Sequence, residues 1–570
     1  MGRSEATAVV LALLLCCTGD GGCTGSGGGG PGDGPRLVDA TASSGIRFKH
    51  EDGFDGNRYR IVETVAGGLA FLDFDGDGFL DVYFASGSRE KPASPPARDA
   101  LYRNRGDATF EDVTDAAGLG DTGMTLGATA ADYDGDGDPD LFITNDGKNR
   151  LYKNEGNGRF LDVAQEAGLG AVEAMHSGAA FFDMDRDGDL DLYVASYVID
   201  RKSSQEPCRV RGIPGYCPPR DYPAAPHTLY ENLGDGRYRD VSQASGIRTV
   251  EPGRGLGVVS ADFNDDGFAD LYVANDTSAN FMFIGDGRGR FVESAFLNGT
   301  AYSDEGSELG SMGIDVADFD DDGLWDLCVT NYQGQINNLY RALPGGALYE
   351  ERGRLAGVSQ GAQPEVSWGV GFFDFDGDGW RDLLIANGHL NRAAQEIDSS
   401  TTYAQRNRLF QNRGGGRFEA VGARAGEAML VEGAHRGAAF GDIDNDGDVD
   451  VVVQRSGAGP LVLLNEGGNR RSWALVRLVG SGKNRDAIGA KVTLLAAGRR
   501  QIAERRSAAS YLSSNDPRLH FGLGSAERID TIDVRWPDGV IETHRELPAR
   551  RLITLRQGNP KAEAAELRRN

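Results

Sequence analysis

Along most of this chain the apolar residues come in short runs, each broken by the same polar segment. A small-and-apolar run, such as Gly-Gly-Leu-Ala-Phe-Leu at 67–72 or Ser-Gly-Ala-Ala-Phe-Phe at 177–182, leads into nine residues with Asp on alternate positions. A run rich in β-branched and aromatic residues follows, such as Val-Tyr-Phe-Ala, Leu-Phe-Ile-Thr or Val-Val-Val-Gln. Runs of this length and composition predict strands. Next comes a hairpin such as Leu151-Tyr-Lys-Asn-Glu-Gly-Asn-Gly-Arg-Phe160, with Gly at the turn. A last short strand closes the unit, as in Leu161-Asp-Val-Ala or Tyr238-Arg-Asp-Val. The unit recurs seven times at intervals of 51 to 79 residues, its nonapeptides starting at Asp73, Asp132, Asp183, Asp262, Asp318, Asp374 and Asp442. Four antiparallel strands repeated radially make an all-β, seven-bladed β-propeller over residues 36–467.

Closing a ring removes exposed sheet edges, and the sequence shows how this one closes. The seventh unit has its hairpin, Leu461 to Asn465, but lacks the strand after it. An unclaimed strand of that kind, Arg36-Leu-Val-Asp-Ala-Thr41, begins the mature region, so it is expected to complete blade seven. Residues 470–557 alternate apolar and polar, as in Trp473-Ala-Leu-Val-Arg-Leu-Val and Ile529-Asp-Thr-Ile-Asp-Val-Arg-Trp, and predict a small sandwich-like β-domain. Residues 558–570, rich in Ala, Glu and Arg, read as a polar tail or a frayed helix.

The nonapeptides carry the chemistry. Positions 1, 3, 5 and 9 are Asp in every copy except for Asn264, and position 6 is always Gly. A hard divalent cation takes six to eight oxygens, and alternate side chains of a curled loop can converge on it, with the carbonyl of position 7 added. The expected calcium ligands are, in loop 1, Asp73, Asp75, Asp77, Phe79 and Asp81, and in loop 2, Asp132, Asp134, Asp136, Asp138 and Asp140. Loop 3 offers Asp183, Asp185, Asp187, Asp189 and Asp191, and loop 4 offers Asp262, Asn264, Asp266, Phe268 and Asp270. Loop 5 offers Asp318, Asp320, Asp322, Leu324 and Asp326, and loop 6 offers Asp374, Asp376, Asp378, Trp380 and Asp382. Loop 7 offers Asp442, Asp444, Asp446, Asp448 and Asp450. An EF-hand would need a bidentate Glu at position 12, where this chain has Phe84, Ile143, Val194, Val273, Val329, Ile385 or Val453. Asx-turns without metal are the competing explanation, but turns alone do not require an acid at each of these positions. The loops hold 32 of the acidic residues; seven divalent ions would add +14 and take the formal net charge from −27 to −13. An acidic chain of this kind is a poor partner for nucleic acid.

The N-terminus reads as an export leader over residues 1–23, with a short apolar run too brief to span a bilayer. Leu14-Leu15-Cys16-Cys17 resembles a lipobox that would lipidate Cys17; a cleaved leader without lipid is the alternative. A Gly-rich tether follows over 24–35. In an exported chain Cys208 and Cys217, in a Pro-rich insertion from Ser203 to His227, favour a disulfide over a metal pair. Cys328 reads as a buried thiol. No His-Glu-x-x-His, Gly-x-Ser-x-Gly or phosphate loop occurs, and no catalytic residue is assigned. The residues six to eight before each loop include Met124, His176, Arg254, Met312, Trp368 and His435, which should converge on the channel mouth away from the loops. They form a candidate ligand face, or else a plug of the channel.

The loops resemble those of the FG-GAP/VCBS family, with the form Asp-x-Asp-x-Asp-Gly-x-x-Asp. Asn484-Arg-Asp-Ala-Ile-Gly-Ala-Lys-Val492, Ser513-Ser-Asn-Asp-Pro-Arg-Leu-His-Phe-Gly-Leu-Gly524 and Val534-Arg-Trp-Pro-Asp-Gly539 resemble the ASPIC/UnbV domain. Together, over roughly residues 36–557, they are similar to bacterial relatives of the cartilage acidic proteins. The resemblance implies a calcium-bearing propeller outside the cytoplasm and supplies no reaction. The expected function is binding or adhesion toward a protein or glycan, with calcium structural and a lipid on Cys17 the only link to a membrane. An envelope enzyme of glycan lyase or hydrolase type, with its site at the channel mouth, is the alternative.

Overall fold

The computed structural model describes residues 34–56, 58–87, 97–169, 174–200, 207–346 and 348–569. Its contacts divide the chain into Met1–Gly34 and Pro35–Asn570. Only Gly34 of the first unit is described, so Cys17, the leader and most of the tether lie outside the described residues.

Pro35–Asn570 contains seven antiparallel blade sheets that share one four-strand path; six have four strands, and the fourth gains a fifth, Leu309–Gly310, paired with its second strand. Their first strands are Leu69–Leu72, Thr125–Ala131, His176–Phe182, Gly255–Ala261, Ile314–Ala317, Ser367–Phe373 and His435–Gly441. These strands touch one another in chain order, and the seventh touches the first, which closes a propeller. Each nonapeptide joins the first strand of a blade to its second, and every second strand opens on the ninth loop residue.

The ring latches as its sequence predicts. Arg36–Asp39 pairs antiparallel with Leu461–Glu466, with Leu37 opposite Asn465, and forms the outer strand of blade seven. Leu37 is buried among Leu409, Met429, Val451 and Leu463. Thus residues far apart in sequence share one sheet.

A glycine occupies the fifth position before every loop: Gly68, Gly127, Gly178, Gly257, Gly313, Gly369 and Gly437. Neighbouring inner strands crowd together there. A Cβ on Gly313 would lie 2.0 Å from the Trp368 carbonyl, and one on Gly257 2.4 Å from the Met312 carbonyl. Gly257 N–H instead donates to that carbonyl at 2.8 Å, and Gly437 N–H to Gly67 O at 3.0 Å. Only glycine permits this approach.

The C-terminal domain packs two four-stranded sheets over a core that includes Val476, Val492, Ile532, Trp536 and Ile553. The expected tail is corrected in part: Glu563–Ala565 adds an edge strand to Arg551–Arg556. The connection 505–516 leaves this sandwich and enters the propeller channel. Ser514 N–H donates to Leu69 O and Ser514 O accepts from Phe71 N–H, each at 3.0 Å. Leu512 O accepts from Ala128 N–H at 3.2 Å and Ser510 O from Ile314 N–H at 2.8 Å. Ser507 Oγ accepts from Phe181 N–H at 2.9 Å, Ser510 Oγ from Val370 N–H at 3.0 Å, and Asn515 Oδ1 from Phe440 N–H at 3.1 Å. This plug therefore hydrogen-bonds to the inner strands of six blades, and Ala508 packs beside Val258 of blade four.

Replacing Leu37 with Ala should cost about 2–5 kcal/mol, read as a lower urea midpoint. An unchanged midpoint would exclude the latch as a source of stability.

Candidate metal loops and the covered channel

The seven loops share one hydrogen-bond scheme. The first Asp accepts from the N–H of the sixth residue, Gly78, Gly137, Gly188, Gly267, Gly323, Gly379 or Gly447, at 2.6–3.1 Å. The fifth residue accepts from the N–H of the seventh in every loop. Position 6 has φ between 87° and 105° throughout. Position 4 is also left-handed, occupied by Gly76, Gly135, Arg186, Asp265, Asp321, Gly377 and Asn445, and this requirement is easy to miss in the sequence because only three are glycine.

The ninth Asp closes each loop with both oxygens. Asp140 Oδ2 accepts from Tyr133 N–H at 3.1 Å and Oδ1 from Asn154 N–H at 2.7 Å, so one carboxylate ties the loop to the third strand. Asp81, Asp191, Asp270, Asp326, Asp382 and Asp450 repeat the pair. A second carboxamide device is absent from the expectations drawn on the sequence. Asn104, Asn154, Asn232 and Asn412 end the third strands of four blades and Asn465 is next to last in that of the seventh, and their Nδ2 groups donate to a loop carbonyl of the preceding blade. The recurrence of Asn at that hairpin position was its signal.

The loop carboxylates converge. One oxygen from each of Asp73, Asp75 and Asp81 lies within 4.8 Å of the others, as do those of Asp183, Asp185 and Asp191, and of Asp318, Asp320 and Asp326; Asp132, Asp134 and Asp136 do the same. Burial first and neighbouring carboxylates second push Asp73 up to about 6. Burial likewise raises Asp183 to about 6, Asp132, Asp318 and Asp374 to about 7, and Asp442 to about 8. Asp73 Oδ1, Asp132 Oδ1, Asp262 Oδ1, Asp320 Oδ1, Asp444 Oδ1 and Asp448 Oδ1 are buried without a hydrogen-bond partner. Converging, desolvated acceptors with unused lone pairs are what an oxygen-seeking divalent cation requires, so the donor set fits calcium.

The C-terminal domain sits on this same loop face. Asp486 accepts from Asp132 N–H at 3.0 Å, while Lys483 meets Asp189, Lys491 meets Asp265 and Arg499 meets Asp321 at 2.7–2.9 Å. Asn484 bonds both ways with the backbone of Ile488 and shapes the turn that presents these groups. A cavity of about 130 Å³ remains between the domain and the ring, lined by Arg381, Glu504, Arg506 and His520 among others.

The expected ligand face is assembled but covered. Met124, Met312 and Trp368 lie in one buried cluster with Ile61, Val65 and, from the plug, Tyr511 and Leu512. His176 and His435 are 3% and 0% exposed, with Nδ1 on Ser196 Oγ and Asn387 O respectively. Arg254 donates to the carbonyls of Pro219 and Tyr222 and so holds down the insertion. These six residues therefore form packing, not an open concavity. Fully buried Arg436 lies 4.2 Å from the Trp368 ring centre and donates to the carbonyls of Thr64, Gly388 and His435. Over them lies a lid: the segments 46–56 and 58–66, the described part of the insertion at 207–227, and the 389–403 loop. Tyr216 donates to Glu63, Arg211 to the Ile397 carbonyl, and Arg392 pairs with Asp52. Cys208 and Cys217 form a disulfide in the insertion, and Cys328 is a buried free thiol.

Comparison with known proteins agrees with this architecture. A family model for FG-GAP-like repeats matches residues 73–143, 132–194, 262–329, 318–385 and 374–453, and one for ASPIC and UnbV matches 480–562. Cartilage acidic protein 1 of Mus musculus is 30% identical over 53% of this chain, and that of Homo sapiens 29% over 53%. The matched region spans 44% and 43% of those proteins. Among solved structures, an Agrocybe aegerita lectin recognising non-reducing terminal N-acetylglucosamine matches at TM-score 0.39 and 16% identity, covering 70% of this chain and 91% of that one. The BP39L lectin from Burkholderia pseudomallei matches at TM-score 0.40 and 9% identity, covering 70% and 96%. At these scores the likeness carries no functional argument.

Asn154→Ala should cost about 1–3 kcal/mol, since it leaves Phe74 O without its inter-blade donor. Thermal unfolding checks this; a melting point equal to wild type would remove the strap from the account.

Proposed function

Because this chain belongs to the FG-GAP-like repeat proteins and carries an ASPIC and UnbV domain, we propose that it is an exported binding or adhesion protein whose ring is held by calcium in a structural role. One observation carries the metal reading: the six loop carboxylate oxygens buried without partners. Asp and Asn side chains at positions 1, 3, 5 and 9 would hold the ion, which would neutralise carboxylates that otherwise repel one another. The disulfide in the insertion supports an oxidising compartment, and no helix among the described residues is long and apolar enough to cross a membrane. With the channel filled, a protein or glycan ligand has the rim and the lid to bind. The lid offers half-buried Phe54, Tyr59, Tyr216 and Tyr403 around Arg392.

An envelope enzyme acting on glycans has one observation in its favour. In the cavity between the domains Glu504 Oε2, Arg506 Nη1 and His520 Nδ1 are buried without partners, and burial raises Glu504 to about 7. Turnover of a glycan panel that is lost in Glu504→Gln would establish it; no turnover by wild type would dismiss it.

Calcium added to chelator-treated protein should raise the melting temperature, since an ion bound only by the folded state contributes about 2.7 kcal/mol at a hundred times its Kd. No bound metal and an unmoved transition would refute the metal reading. The effect should also depend on pH. In the metal-free fold six first-position carboxyls, those of Asp73, Asp132, Asp183, Asp318, Asp374 and Asp442, lie at about 6 to 8, against about 3.9 unfolded. The metal-free native state thus binds the extra protons, so its stability falls as pH rises from about 4 to about 8. Calcium displaces those protons, and the calcium-induced shift in melting temperature should grow over that range. A shift equal at pH 5 and pH 8 would contradict the assignment.

A further inference from the structure

We infer that loop 4 is the exception among the seven, closed by the guanidinium of Arg535 from the C-terminal domain in place of a calcium ion. The inference rests on the metal reading of the other loops. Three features single out residues 262–270. First, Asn264 replaces the third-position Asp, removing one anionic ligand. Its Nδ2 donates to Asp266 Oδ2 at 2.9 Å, so the amide bridges two ligand positions from within. Second, Arg535 forms an ion pair with Asp262 Oδ2, the oxygen that also accepts from Gly267 N–H. Among the described residues no other first-position loop Asp has a cationic side chain in ion-pair contact. Third, further cations surround the loop: Lys491 lies 2.9 Å from Asp265, and Arg186 donates to the Gly267 carbonyl with its guanidinium 4.3 Å from the Phe268 ring centre.

The cations that meet ligand carboxylates at other loops avoid the first position: Arg471 and Arg569 reach Asp376 and Asp446 from C-terminal segments with side chains 48% and 56% exposed. Arg103, Lys153 and Arg341 project from the third strand of their own blade onto third- and fifth-position carboxylates, with side chains 45%, 34% and 28% exposed. They can swing into solvent when an ion arrives. Arg535 ends a strand of the docked sandwich, Arg528–Arg535, so withdrawing it means disturbing the interface. A divalent ion entering loop 4 would meet a fixed positive charge on its principal ligand and one carboxylate fewer to offset it. Asp262 Oδ1 remains buried without a partner, so the loop keeps a vacant acceptor that a cation could use once the arginine is gone.

The test is the number of ions retained by the full chain, read by native mass spectrometry or by metal analysis after gel filtration in micromolar calcium. Asp262→Asn should leave the wild-type count unchanged, whereas Asp132→Asn should lower it by one. Arg535→Gln should raise the count by one. A loss of one ion in Asp262→Asn would overturn the arginine assignment while leaving the metal reading of the other loops intact. No retained calcium in any of these proteins would overturn the metal reading itself. If Arg535→Gln fails to fold, the comparison of Asp262→Asn with Asp132→Asn still decides the matter.

Discussion

Each blade depends on a carboxylate that commits both oxygens to backbone N–H groups. The ninth loop residue bonds the start of its own loop and the end of the third strand, so a single Asp sets the position of three strands at once. Buried backbone donors must find an acceptor, and here the acceptor is charged, short and rigid. Asn offers one acceptor oxygen where two are needed, and Glu would push the loop outward by a methylene. The same Asp opens the second strand in all seven blades, which explains why the motif ends there and strand character begins at once. Burial around it is deep: Asp81 and Asp270 sit well above the usual carboxylate range because desolvation outweighs the N–H groups they accept.

Much of this was legible because it is local and periodic. The nonapeptide fixed the number of sheets, and the orphan strand at Arg36–Asp39 correctly announced the latch, since ring closure demands an outer strand that unit seven lacks. Glycine at position 6 was legible for the same reason. The fourth position was not, because Arg186, Asp265, Asp321 and Asn445 share a left-handed backbone with no shared chemistry. Nor was the inner-strand glycine read for what it does, although it recurs in every unit; its reason lies in the backbone of the next blade or, at Gly68 and Gly127, in Leu512 of the plug, and no window along the chain contains both partners.

The candidate ligand face failed for a related reason. Met124, Met312 and Trp368 meet in one buried cluster, and His176 and His435 are buried with Nδ1 on Ser196 Oγ and Asn387 O. What packs against that cluster arrives from elsewhere: the helix Val62–Val65 from one side, and on the other Tyr511 and Leu512, which lie 76 to 388 residues downstream of those five positions. Tyr511 donates to Val65 O at 2.7 Å and meets the Trp368 ring at 5.1 Å, so the helix and the plug touch inside the ring. Ser513, Ser514, Asn515 and Asp516 were quoted from the sequence as marks of the C-terminal domain. Their side chains and backbone serve the propeller, saturating inner-strand N–H groups that a hollow channel would leave to water.

The plug changes how the acidity of the chain is to be understood. Thirty-two loop acids crowd one face, and two kinds of counter-charge could answer it: the cations of the docked domain and, on the metal reading proposed above, bound ions. Lys483, Lys491 and Arg499 choose Asp189, Asp265 and Asp321, side chains at positions 7 and 4 that the nonapeptide does not need as ligands. Docking would then be compatible with the proposed ion binding at most loops, because the two would draw on different carboxylates. On the proposed metal reading they would also reinforce one another. Ions that neutralise the ligand positions lower the repulsion within each loop, and the curled loop then holds its outward acids where the lysines and arginines meet them. A domain that both plugs the axle and clamps the loops makes the ring one cooperative unit, so a rigid wheel with an exposed rim and lid follows from charge balance on the opposite face.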